Sequence, residues 1–200
     1  QTVKDQEQAR LRKEIARDFH DELGNQVARM LNYVGILRLS DKMEKDTYSK
    51  LHGYSQGILT GTKDFVWALD PRNDDLESVL IHLRDFGERM FTEKGIDFFF
   101  NGKFEKIRLP LGYGRQINLI FKEAMTNALK HSRCNNIYFS VQVVGQQCTI
   151  ELSDDGNWTD KQQSGKGLKN MHARASKIGG ALIIENDTKG TKINLSFNIT

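Results

Sequence analysis

The sequence predicts an α+β protein in two parts: an N-terminal antiparallel helical hairpin followed by an α/β sandwich. Three observations carry this. Apolar residues in the first third recur at helical spacing with no proline among them. Five short runs rich in β-branched and aromatic residues appear only beyond residue 95. Two stretches of helical period lie between those runs. A chain of 200 residues suits one ordinary domain or two small ones.

The first helix runs from about Val3 to Leu39, where Leu11, Ile15, Phe19, Leu23, Val27, Met30, Val34 and Leu37 follow in steps of four or three. That stripe is long and narrow, as in a bundle seam. Residues 40–47 are polar and read as a short connection, and a second helical run covers about Tyr48 to Leu69. A single hairpin cannot cover its own seam, so pairing with a second copy into a four-helix bundle, a homodimer, is expected. Pro71 disfavours the α conformation at the residue before it and ends the second helix. Residues 1–70 are therefore assigned to the hairpin, 71–75 to a polar linker within "DPRNDD", and 76–200 to the sandwich. Asp74, with Glu77 three residues on, reads as a capping box opening a helix from about Leu76 to Lys94. The strands expected are 96–100, 135–143, 148–153, 181–186 and 191–199, with helices at about 113–132 and 167–178.

Composition narrows the function classes. A formal charge of +3 is too small and too dispersed to indicate nucleic acid. No run of about 20 apolar residues exists, so no membrane contact is expected of this segment. Cys134 and Cys148 lack metal-ligand spacing and read as reduced thiols in a cytoplasmic setting. The chain opens with Gln1 inside a helical pattern, which reads as a piece of a longer protein whose remainder would hold a sensor or a membrane anchor.

The helix at 115–132 is unusually polar. Glu123, Asn127 and Lys130 share one face, with His131 adjoining. A carboxylate and an amide oxygen there would hold a hard cation such as Mg²⁺, which takes few protein oxygens and shares the rest with water and phosphates. A plain solvated face is the alternative for that helix alone. After it come "SDDGNW" (153–158) behind a strand, a polar stretch "TDKQQ" (159–163) suited to a lid, "SGKGLKNM" (164–171) with two glycines at a helix mouth, and "KGTKINL" (189–195) entering the last strand. Glycine lets backbone N–H groups approach phosphate, and a helix N-terminus favours the anion.

In that order the four elements resemble the ATP-binding fold of histidine kinases, shared with Hsp90, DNA gyrase and the mismatch-repair ATPases, from about Leu76 to Thr200. The resemblance implies that ATP and Mg²⁺ are bound, with Asn127 ligating the metal and Glu123 nearby. It implies phosphate contacts from Lys130 and His131, and Asp154 accepting the adenine amino group with Thr191 assisting through water. Gly156, Gly165, Gly167 and Leu168 would shape the pocket wall and lid hinges. Trp158 stands where the family often has a second glycine, which would make the entrance bulkier.

The helix "RKEIARDFHDELGNQ" (12–26) is similar to the phosphoacceptor helix of the nitrate-sensor-like histidine kinases, with their His-Asp-x-Leu-Gly pattern. The residues make the same case on their own. Ala16 and Gly24 lie four positions either side of His20 and are both small. Phe19 and Leu23 belong to the seam, which turns His20 away from it by about 100°. A helical glycine costs about 1 kcal/mol relative to alanine, and access for a bulky partner is one reason to carry it. Histidine titrates at about 6.5 and is largely neutral and nucleophilic at cellular pH. Asp21 would orient the ring and stabilise the charge that develops on attack; Glu22 points less favourably.

The resemblance implies phosphoryl transfer from ATP to His20 and then to an aspartate on the receiver domain of a response regulator. Asn25 stands four residues after Asp21, where relatives that also dephosphorylate the regulator carry Gln or His, with Gln26 one step later. Asn is shorter than either. Gly53, Gly57 and Gly61 form a stripe expected near the level of His20, where they would permit bending or close docking; tolerated weak sites in a packed helix are the alternative. Two other functional classes stay open: a nucleotide-gated dimerising ATPase with His20 incidental, and a non-catalytic scaffold.

Overall fold

The computed structural model describes residues 6, 10, 13, 16–17, 23–25, 27–35, 45–70, 73, 75–103, 106–156, 166–187 and 190–199. The chain divides into two compact units, Gln1–Pro71 and Arg72–Thr200.

In the first unit, residues 23–25 and 27–35 are helical, and helix α1 spans Lys45–Leu69. The polar connection expected through Thr47 does not reach that far: Lys45, Asp46 and Thr47 already belong to the helix. Polarity alone does not break a helix when no glycine or proline intervenes. The two helical stretches lie side by side where the Ser55 hydroxyl meets Met30 Sδ at 3.7 Å. The Tyr33 and Tyr54 rings stack nearby at 5.6 Å, with Lys50 Nζ over Tyr33. Of the expected seam, Leu23, Met30 and Val34 are half-buried and Val27 is exposed, as are Leu31, Leu59 and Val66. The contacts at Met30 and Tyr33 place Gly53 and Gly57 at that level of the pair, and a side chain added at Gly53 or Gly61 would meet nothing. His20, the level expected for the glycine stripe, lies outside the described residues.

The second unit is a five-stranded sheet with helices on one face. Its elements are α2 (Leu76–Thr92), β1 (Asp97–Asn101), α3 (Tyr113–His131), β2 (Asn136–Val144), β3 (Gln147–Asp154), α4 (Lys166–Lys177), β4 (Ala181–Asp187) and β5 (Gly190–Asn198). Strand order is β1-β2-β3-β5-β4, with β1 and β2 parallel and every other pair antiparallel. The parallel pair requires a crossover, which α3 supplies.

Register places Phe100 opposite Phe139, Phe139 opposite Leu152, and Ile150 and Leu182 opposite Leu195. Alternate residues therefore line one face, where they meet Leu76, Leu80, Leu83 and Phe91 of α2, Ile117, Phe121 and Met125 of α3, and Met171 of α4. Phe139 sits at the centre, 5.4 Å from the Phe121 ring and 5.7 Å from Phe100. The opposite sheet face is open, with Phe99 stacked on Tyr138 at 5.3 Å and both about half exposed.

The N-cap of α2 is Asp75, not Asp74. Asp75 is extended, accepts from the Ser78 N–H at 2.8 Å and from the Ser78 hydroxyl at 3.0 Å, and bridges to Arg108. The Leu76 N–H donates to the Ile107 carbonyl at 2.8 Å, so a distant segment selects which aspartate caps the helix. The third helical residue is Ser78, so the expected box with Glu77 does not form.

Both cysteines are free and buried. Burial pushes the Cys148 thiol up to about 12. Burial also raises Cys134, against a lowering hydrogen bond from Ser132. No helix among the described residues is long and apolar enough to cross a membrane.

Replacing Phe139 by alanine removes the ring on which α3, β1 and β2 converge, and should cost about 3–5 kcal/mol of unfolding free energy. Urea denaturation checks this; a loss below about 1 kcal/mol would contradict a core centred on this residue.

Candidate functional site

The β3 strand alternates buried and half-buried residues through Cys148, Ile150, Leu152 and Asp154. Continuing that period carries the Asp154 carboxylate inward, where it is 8% exposed, while Asp155 faces solvent. Asp154 Oδ1 accepts from the Gly156 N–H at 2.9 Å. Gly156 itself lies against the Ser132 carbonyl at the end of α3, so closely that a Cβ there would overlap it. Ser132 is fully buried; its hydroxyl donates to the Ala128 carbonyl at 2.7 Å and accepts from the Cys134 N–H at 3.3 Å.

Gly190 opens β5 with φ of 139°, a backbone conformation that L side chains rarely adopt, and a Cβ there would overlap the Asp154 carbonyl. The register, with Ser153 opposite Lys192, brings Thr191 to the level of Asp154. Thr191 is 2% exposed and its hydroxyl donates to Asn186 Oδ1 at 3.3 Å.

The polar face of α3 meets the start of α4. A Cβ on Gly167 would overlap Glu123 Oε1 and would lie 3.7 Å from the Asn127 amide nitrogen. Glu123 and Asn127, one helical turn apart, thus face the first turn of α4, and half-buried Leu168 follows Gly167. Lys130 is exposed and His131 half-buried in the last turn of α3, where the helix dipole also favours positive charge. The α3 lysine nearest in sequence, Lys122, faces the other way: it is 9% exposed with Nζ 4.7 Å above the Phe86 ring of α2.

The structure therefore gathers Glu123, Asn127 and Gly167 by direct approach, and Asp154, Gly156 and Thr191 through β3 and β5; the Ser132–Gly156 contact ties the end of α3 to the second group. Asn25 is helical and exposed in the first unit. His20, Asp21, Gly165, Trp158 and the stretch 159–163 lie outside the described residues. Among the described residues no group of three or more His, Cys, Asp or Glu could hold a metal. Two hard oxygen donors, from Glu123 and Asn127, fit an ion that keeps waters and phosphate oxygens as its remaining ligands.

Ser132 and Asp155 were not among the residues singled out from sequence. Asp155 Oδ1 accepts from the N–H groups of Asn135 and Asn136 at 2.8 and 2.9 Å, and Oδ2 from Asn136 Nδ2 at 2.7 Å. Partial burial pushes this carboxyl up, but its hydrogen bonds with Asn136 and Asn135 outweigh that and hold it below the usual carboxylate value. The period of β3 was a usable signal for Asp154; the partners of Asp155 lie 19 and 20 residues away and had none.

Residues 112–200 match the family described as histidine kinase-, DNA gyrase B- and HSP90-like ATPase. The chain is 23% identical to the sensor histidine kinase LnrJ of Bacillus subtilis over 94% of its own length and 48% of that protein's. It is 25% identical to the oxygen sensor histidine kinase NreB of Staphylococcus carnosus, covering 94% of this chain and 56% of the relative. With the histidine-protein kinase/phosphatase UhpB of Salmonella typhimurium it shares 23% identity over 93% of this chain and 38% of that one. The chain thus spans about half the length of the curated relatives it matches, or less. Among solved structures, the Acinetobacter baumannii histidine kinase AdeS superposes with a TM-score of 0.61 at 15% identity, over 90% of this chain and 98% of that one. The blue-light activated histidine kinase EL346 of Erythrobacter litoralis gives 0.60 at 16% identity, over 90% and 60%. Residues 112–200 thus match this ATPase family, and the chain over nearly its whole length is similar to sensor histidine kinases.

Proposed function

We propose that this chain transfers the γ-phosphoryl group of ATP to His20 and passes it to an aspartate on the receiver domain of a response regulator, working as a homodimer. The observation that carries the reading is the meeting of Glu123 and Asn127 with the glycine mouth of α4; the buried carboxylate of Asp154 at the end of β3 adds to it. A carboxylate in that position suits the exocyclic amino group of adenine. Its Oδ1 accepts from the Gly156 N–H, which orients the carboxylate.

Glu123 and Asn127 would hold Mg²⁺, which when bound neutralises charge on the phosphate oxygens. Lys130 would add positive charge in the last turn of α3, with His131 beside it as a further phosphate contact. In the transfer step the unprotonated ring nitrogen of His20 attacks the γ-phosphorus. A P–N bond forms, the bond to the bridging oxygen breaks, and ADP leaves with the electron pair. The proton on the other ring nitrogen stays, and Asp21 stabilises the imidazolium. Such catalysis rests on positioning and electrostatics. Asn25 would orient water in any reverse hydrolysis on the regulator, with a shorter reach than Gln.

The apolar residues left exposed on the first unit, Val27, Leu31, Leu59 and Val66, support pairing with a second copy. A longer protein bearing a sensor, anchored in a membrane with this core in the cytoplasm, fits the length difference from the relatives.

Incubation with γ-labelled ATP and Mg²⁺ should give an acid-labile, alkali-stable label that is lost in His20→Ala, in Asn127→Ala and on chelation of the metal. ATP turnover that persists unchanged in His20→Ala would favour a dimerising ATPase instead. In a separate titration, Gly167→Ala, whose new methyl overlaps Glu123, should weaken Mg-ATP binding by about tenfold, roughly 1.4 kcal/mol. Wild-type affinity in that variant would remove the α3–α4 contact from the site.

A further inference from the structure

We propose that Asp155 is a positioning residue: by clasping the start of β2 it fixes the turn that aims the Asp154 carboxylate, and so sets the preference for adenine over guanine. The inference rests on the ATP reading above and adds to it the residue that enforces base selection.

The clasp is made of four hydrogen bonds between two strand ends. Asp155 Oδ1 accepts from Asn135 N–H and Asn136 N–H, Oδ2 accepts from Asn136 Nδ2, and the Asp155 N–H donates back to the Asn136 carbonyl at 3.3 Å. Asn135 is itself tied onward, since its carbonyl accepts from the Asp97 N–H of β1 at 2.9 Å. Across the same ladder Asp154 stands opposite Ile137. The turn 154–156 is thereby held on two sides. Asp155 fastens it outward to β2, and Gly156 is pressed inward against the Ser132 carbonyl while donating to Asp154 Oδ1. Rotation of the turn would swing the carboxylate, and the outward side is fastened chiefly by a side chain.

The clasp stabilises the Asp155 carboxylate. Its effect on Asp154 is geometric. Adenine presents an amino donor where guanine presents a carbonyl, so a fixed acceptor favours one base and repels the other. A mobile acceptor loses the distinction while contacts to phosphate are untouched.

The test uses the full chain and isothermal titration with Mg-ATP and Mg-GTP analogues that do not hydrolyse. Asp155→Ala removes all three side-chain acceptances. It should raise the Kd for the ATP analogue about tenfold and leave that for the GTP analogue within about twofold. The exchange Asp155→Asn with Asn136→Asp keeps the backbone acceptances and a donor–acceptor pair and should leave ATP affinity within about twofold of wild type. Unchanged ATP affinity in Asp155→Ala, an equal loss for both nucleotides, or a loss in the exchange as large as in Asp155→Ala would each overturn the proposal. Asp154→Asn separates the two levels. If it leaves ATP affinity intact, or if wild type binds no ATP, the base-recognition reading fails whatever Asp155 does.

Discussion

Three close backbone approaches, each possible only because no Cβ is present, hold the candidate site together. Gly156 lies on the Ser132 carbonyl, Gly190 on the Asp154 carbonyl, and Gly167 on the Glu123 carboxylate. Between them they join the end of α3, the end of β3, the start of β5 and the start of α4. A side chain at any of the three would have to push backbone or the Glu123 carboxylate aside. The polar residues gathered there would be scattered without these contacts, because they come from segments up to about 70 residues apart in the chain.

The apolar core makes those approaches reproducible. Phe139 is fully buried and touches Phe98, Phe100 and Phe121, so the central helix and the parallel edge of the sheet share one packing centre. The β3 strand then projects Asp154 from the same face that carries Cys148, Ile150 and Leu152. The carboxylate is buried as a consequence of strand period, and the Gly156 N–H satisfies one of its oxygens. Lys122 shows the other outcome for a charge drawn into the helical layer: it is turned toward α2 and rests on an aromatic face. Two adjacent residues of α3, Lys122 and Glu123, thus serve different neighbours because they are about 100° apart around the axis.

Element type and order were legible because local signals carried them. Period two in "NNIYFSVQV" and "CTIELS", and helical period in "RQINLIFKEAMTNALKHS", gave strands and helices within one or two residues of their ends. An ordered motif puts Asn127, Glu123, Asp154 and Gly167 forward as candidates, and of these Gly167 lies close to Glu123 and Asn127. What was not legible depended on distant partners. The choice of Asp75 over Asp74 as the cap of α2 is made by Ile107 and Arg108, and polar residues 45–47 join α1 although they look like a loop. The clasp of Asp155 on Asn135 and Asn136 likewise has no local signature. The burial of Ser132 follows from the arrival of Gly156, which nothing near Ser132 announces.

The central claim is that a nucleotide sits where α3, α4, β3 and β5 meet. The most direct measurement is to map amide chemical shifts by ¹H–¹⁵N NMR while Mg²⁺ and a non-hydrolysable ATP analogue are added. The account predicts the largest changes at Asn127, Gly156, Gly167, Leu168 and Thr191, with Phe99 and Tyr138 on the open sheet face unmoved. Changes centred on that open face, or none at saturating nucleotide, would contradict it.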